Sequence, residues 1–166
     1  MVSFEKKSYE SAMELETNLD RSSFLISEEI SESNKFIKYS NDFVDIGFIY
    51  YDVGLEPQIE LLAQSDKIFL GVNKIYSCLD YDSKSMLFKK ELPSLLYEIL
   101  VDSDAQYIIY VCELDIFVYK NDGSFLWKMG LRDVIEDYYL EGNESIVIEY
   151  NDGDKINFSL DSGKTK

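Results

Sequence analysis

The chain has 166 residues, with 32 acids against 16 bases, no histidine and a formal charge of −16. Hydrophobic residues at 46% and aromatics at 14% exclude a charge-rich disordered tail, which needs few aromatic and β-branched side chains. The charge disfavours nucleic-acid binding, where Lys and Arg must neutralise phosphates. The missing histidine removes Ser-His-Asp triads, Cys-His dyads, histidine bases and most zinc sites.

In chain order, Met1–Glu10 has a charged start with no apolar stretch behind it, so it does not read as a secretory signal. Ser8–Leu19 carries Tyr9, Met13 and Leu15 at loosely helical spacing and predicts a helix. Phe24–Ile26, Lys35–Tyr39 and Phe43–Tyr51 predict strands, with Gly47 marking a bulge or a close approach. Gly54–Pro57 is a turn, and Pro57–Ala63 leads into a more regular second part.

From about residue 66 the pattern is strand, turn, strand. Ile146, Ile148 and Tyr150 share a face before Asn151-Asp-Gly-Asp154, and Ile156, Phe158 and Leu160 follow in alternation. Asp-Gly between two alternating runs is a strong hairpin signal, because glycine takes the positive φ that the turn requires. Ile116–Trp127 repeats it around Asp122-Gly123. The turns Ser83-Lys84, Asp122-Gly123 and Ser162-Gly163 lie 39 and 40 residues apart, and Leu87 aligns with Leu126, Phe88 with Trp127 and Leu92 with Leu131. A period of ~40 residues is the scale of a four-stranded propeller blade. Three copies cannot close a propeller, so the expected fold is mainly β: antiparallel hairpin repeats forming two packed sheets with one or two short helices. Between the copies, Leu92–Leu100 reads as a helix or a strand, Pro93 favouring a helical turn, and Gly130–Leu140 fits a strand. Residues 1–166 are read as one domain, less regular over 1–65 and hairpin-repeat over 66–164.

Apolar runs such as Tyr107–Cys112 have strand length, short of the ~20 residues a membrane helix needs. Cys78 and Cys112 sit in apolar segments and read as buried thiols of a reducing cytoplasm. The acid is spread evenly: 16 acids and 7 bases over residues 1–83, 16 and 9 over 84–166. Such a surface is either simply solvated or shaped to steer in a basic protein.

Few chemical motifs survive inspection. Asp102, Asp104, Gln106, Ile108 and Glu113 fall at calcium-loop offsets, but Tyr107 stands where the loop needs glycine. The pairs Glu136–Asp137 and Glu113–Asp115 have the residue type of glycosidase carboxylates, yet neighbours on a strand point to opposite faces. Cys112 has no basic activator nearby. The reading is therefore not an enzyme, with no cofactor, no metal and no small-molecule ligand expected. The 13 tyrosines, with doublets at Tyr50-Tyr51 and Tyr138-Tyr139, suit half-buried strand positions or a recognition face.

Val111-Cys-Glu113, Asp122-Gly123, Leu126-Trp-Lys128, Asp133-Val-Ile135, Asp152-Gly153 and Leu160-Asp-Ser-Gly-Lys164 together resemble small acidic bacterial proteins of toxin immunity. The resemblance spans residues 66–164. It implies the intracellular, non-catalytic immunity partner of a polymorphic or contact-dependent growth-inhibition toxin, often a nuclease. Asp102, Asp104, Glu113, Asp115, Glu136, Asp137, Tyr138 and Tyr139 are the candidate contacts with that basic toxin domain. The alternatives are a β-domain acting on or binding carbohydrate through a carboxylate and tyrosine cleft, and a structural β-domain.

Overall fold

A computed structural model describes residues 3–20, 22–29 and 31–166. Fifteen strands and one helix occur among them: β1 Glu5–Tyr9, α1 Ala12–Thr17, β2 Phe24–Ser27, β3 Asn34–Ser40, β4 Asp45–Tyr51, β5 Gln58–Leu62, β6 Lys67–Val72, β7 Ile75–Asp80, β8 Ser85–Glu91, β9 Leu96–Val101, β10 Tyr107–Cys112, β11 Asp115–Lys120, β12 Phe125–Gly130, β13 Ile135–Glu141, β14 Ser145–Tyr150 and β15 Lys155–Ser159. They form four sheets in the orders β1-β3-β4-β2, β5-β6-β7-β8, β9-β10-β11-β12 and β13-β14-β15. Every pairing is antiparallel except β2 with β4. The expected class, mainly β with antiparallel hairpin repeats, is the one found. The repeats build four sheets stacked in succession, however, because each sheet packs a face against the next sheet in the chain and only the two middle sheets have a neighbour on either side.

Three core clusters mark the three interfaces. Phe48 and Tyr50 of the first sheet meet Ile68 and Leu70 of the second. Phe69 and Tyr76 of the second meet Tyr110 and Tyr119 of the third. Ile109 and Val118 of the third meet Ile146 and Ile148 of the fourth. The middle sheets are thus buried on both faces, which is why β6 and β10 read as unbroken apolar runs. The two outer faces are closed differently. On the first sheet α1 buries Leu15, and Leu19 packs so tightly on Gly47 that a Cβ there would lie 2.9 Å from its Cδ1. Gly47 therefore serves a close approach, and the β3–β4 register runs through it without a bulge. On the fourth sheet the outer face is polar: Lys155 pairs with Glu149 at 3.2 Å, and Asn157 Nδ2 donates to Glu141 at 2.9 Å. A polar outer face is how a stack of repeats stays soluble at its end.

The turns follow the sequence signals. Lys84, Gly123 and Gly163, the repeated turn positions, all have positive φ. In both Asp-Gly hairpins the glycine N–H donates to the residue three back, Gly123 to Lys120 O at 3.0 Å and Gly153 to Tyr150 O at 2.9 Å. Two local expectations are corrected. The helix covers only Ala12–Thr17, capped by Ser11 Oγ accepting from Glu14 N at 3.2 Å, and residues 5–9 pair with β3 instead. Pro93 starts no helical turn: Leu92 N and Leu96 N donate to Lys74 O and Asn73 O, which stretches the segment across the neighbouring turn into β9.

Candidate protein-binding surface

β5, β9 and β13 are the first strands of successive sheets, and each is an edge strand with one side unpaired. β5 lies against β9, and β13 reaches β9 through the Tyr138 hydroxyl, which donates to Glu98 Oε2 at 2.9 Å. Together the three strands carry Glu60, Glu98, Glu136, Asp137 and Glu141 and no lysine or arginine. The last strands of the middle sheets are net positive, with Lys89 and Lys90 against Glu91 in β8 and Lys128 alone in β12. The charge that looked evenly spread along the chain is sorted by the fold into an acidic inner edge and a lysine-bearing outer edge.

Two β-bulges shape the inner edge. Val111 and Cys112 pair with Glu98 and Leu96, leaving Tyr97 as the extra residue of β9. Tyr150 and Glu149 pair with Ile135 and Asp137, leaving Glu136 as the extra residue of β13. The two bulges stand 39 residues apart, at one place in the repeat. A bulge bends the strand and re-aims side chains. Consequently Glu136 and Asp137 are both exposed, where regular alternation would turn one inward.

The electrostatics follow from this crowding. Burial first, and the charge of Glu98 second, push the Glu60 carboxyl above its ordinary value. Burial, then the hydrogen bond to Glu98, drives the Tyr138 hydroxyl upward. Tyr97 is raised by burial and by the charge of Glu113.

The eight predicted contact residues divide. Glu113, Glu136, Asp137 and Tyr138 gather at the inner edge, with Ile135 N donating to Glu113 O at 3.4 Å to tie the turn to β13. Asp115 sits in the same turn, but its Oδ2 accepts from Ser94 Oγ at 2.7 Å. Tyr139 lies on the outer face of the fourth sheet with Lys155 Nζ 5.9 Å over its ring. Asp102 and Asp104 lie at the opposite end of the strands. Asp102 is 3% exposed, its Oδ1 accepting from Gln106 N and Tyr107 N and its Oδ2 from Asp104 N, so its carboxylate is turned onto its own backbone and holds a turn. Asp104 Oδ2 accepts from Asn143 Nδ2 at 2.8 Å. Glu60, Tyr97 and Glu98 were missed from sequence. Tyr97 and Glu98 align 39 residues before Glu136 and Asp137, a signal the repeat already carried.

The tyrosine excess also resolves by position. Tyr50, Tyr76, Tyr110 and Tyr119 are fully buried, with the Tyr76 and Tyr119 hydroxyls 2.8 Å apart. Cys78 and Cys112 are free and buried in the same cluster. Burial pushes the Cys78 thiol to about 12 and raises Cys112 as well. Among the described residues no helix is long and apolar enough to cross a membrane.

No family model matches the sequence, and no curated protein matches it. Solved structures do resemble it in fold. The β-propeller domain of Myceliophteria thermophila Cps50 (Swd1) matches with a TM-score of 0.51 at 10% identity, over 68% of this chain and 38% of that one. Kuenenia stuttgartiensis hydrazine synthase matches with a TM-score of 0.55 at 10% identity, over 87% and 47%. The computationally designed Ika8 protein matches with a TM-score of 0.52 at 10% identity, over 82% and 46%. The chain therefore spans less than half the length of each of these neighbours, and its stacked sheets share the fold of β-propeller blades.

Proposed function

We propose that the chain is a non-catalytic binding protein whose acidic inner edge takes up a basic protein domain, and that this domain is a cognate toxin, a nuclease in class, which the binding neutralises. The observation that carries the reading is the sorting of charge: five acids and no base on β5, β9 and β13, bordered by Tyr97 and Tyr138. Nine ion pairs among the described residues use eight carboxylates, leaving most of the 32 acids without a cationic partner. A nuclease must present cations to nucleic acid, so an acidic edge can cover that surface. The field speeds encounter, while half-buried tyrosines supply desolvated anchors. The unpaired side of β13 also offers backbone groups to a partner strand.

The experiment is co-expression with the product of the neighbouring reading frame, tested as the candidate basic toxin and scored for growth and for co-purification. Rescue of growth together with a stable complex supports the reading. Unrelieved toxicity with no complex would overturn it.

A further inference from the structure

We propose that the cleft between β8 and the third sheet is a binding site for a small anion carried on a planar ring, such as an aryl phosphate or carboxylate. The cleft has a volume of about 660 Å³ and lies on the outer, lysine-bearing side, away from the acidic inner edge. Its rim holds Lys74, Lys90 and Lys128 against one carboxylate, Glu91. None of the three lysines forms an ion pair among the described residues. In a chain of −16, three unneutralised lysines around one concavity are a local reversal of the protein's own field.

The walls are aromatic. Phe125, half exposed, stands 5.5 Å edge-on to Tyr119, against which Phe88 stacks at 4.9 Å. Lys90 Nζ sits 5.3 Å over Phe88, which holds its charge beside the rings. Tyr76 and Tyr119, 3% and 1% exposed, both line the cleft and share one hydrogen bond. Whichever hydroxyl donates, the other's hydrogen has no acceptor among the described side chains. A buried O–H left over beside three lysines calls for an oxygen acceptor with negative charge. The exposed face of Phe125 calls for a ring to stack on it.

The probe is phenyl phosphate, titrated at low salt against the full chain and followed by backbone amide shifts. Saturable binding is expected, with the shifts centred on Lys90, Phe125 and Lys128. Inorganic phosphate and phenol, which each lack half of the recognised group, should bind at least tenfold more weakly. Lys90→Gln with Lys128→Gln should weaken phenyl phosphate at least tenfold, and Tyr119→Phe several-fold. Lys84→Gln with Lys164→Gln, an equal charge change elsewhere, should leave it within twofold. All four lysines are exposed, so neither lysine pair endangers folding. Phenyl phosphate binding no tighter than inorganic phosphate, or equally weakened by both lysine pairs, would overturn the proposal.

Discussion

Trp127 lies directly over the backbone of Gly163. A Cβ on that glycine would sit 2.7 Å from the indole Cδ2, and Trp127 Nε1 donates to Leu160 O at 2.7 Å. Forty residues earlier Leu87 covers Gly123, where a Cβ would lie 3.1 Å from Leu Cδ1. In each case the outer strand of one sheet grips the glycine turn of the next, so the repeat is stitched at its rim as well as through its core.

These glycines are expected to rank in their tolerance of alanine. Gly163→Ala combines positive φ with a clash against a buried ring and should cost about 2–4 kcal/mol. Gly123→Ala meets the flexible end of a leucine and should cost about 1–2 kcal/mol. Gly54→Ala, at positive φ with open space around it, should cost about 1 kcal/mol. Urea denaturation of the three variants checks the order.

Asp102→Ala is expected to destabilise by about 1–3 kcal/mol, since it strips acceptors from three part-buried backbone N–H groups. Asp104→Ala, exposed and bonded to one asparagine, should change stability by less than about 1 kcal/mol. Equal effects in thermal denaturation would contradict the distinction between a turn-former and a surface acid.

Both thiols should resist a disulfide reagent at pH 8 in the native state and react fully once unfolded. Burial holds Cys78 at about 12 and Cys112 above its ordinary value, so thiolate is scarce and access is closed. Rapid native-state titration of either thiol would contradict their placement.

Glu60 gives a pH signature. Its folded carboxyl holds a proton more tightly than an unfolded glutamate, so its penalty on stability is complete above the folded pKa. That penalty fades as pH falls through the folded pKa toward the ordinary 4.5. Glu60→Gln should therefore raise the melting temperature at pH 7, with an advantage that shrinks as pH drops toward 4.5 and is nearly gone below it. A constant difference across pH would assign the effect to packing.

Much of this fold was legible in the chain because turns and alternation are local. Gly123 and Gly153 sit between runs of period two, and the 39- and 40-residue spacing of Lys84, Gly123 and Gly163 reports one turn built three times. The number of sheets was not legible, since β6 and β10 are apolar on both faces and period two cannot say which neighbour each face meets. Nor was the helix length: Tyr9 faces a strand partner, Phe36, that only pairing reveals. The candidate surface was half legible. Glu136 and Asp137 are exposed together because of a bulge, which no alternation rule anticipates, and Glu98 joins them only through Tyr138. Asp102 misled because an acidic turn reads the same whether its carboxylate faces water or its own backbone.

The most direct test of the acidic inner edge is the association rate of the basic domain captured by that co-expression with two triple charge reversals, read across salt concentration. Glu98→Lys, Glu136→Lys and Asp137→Lys together should slow association at least tenfold at low salt and flatten its salt dependence. Asp82→Lys, Asp122→Lys and Asp161→Lys, an equal reversal in turns at the opposite end, should slow it by no more than about threefold. Equal slowing by both sets, or no slowing by the first, would contradict a partner held at β5, β9 and β13.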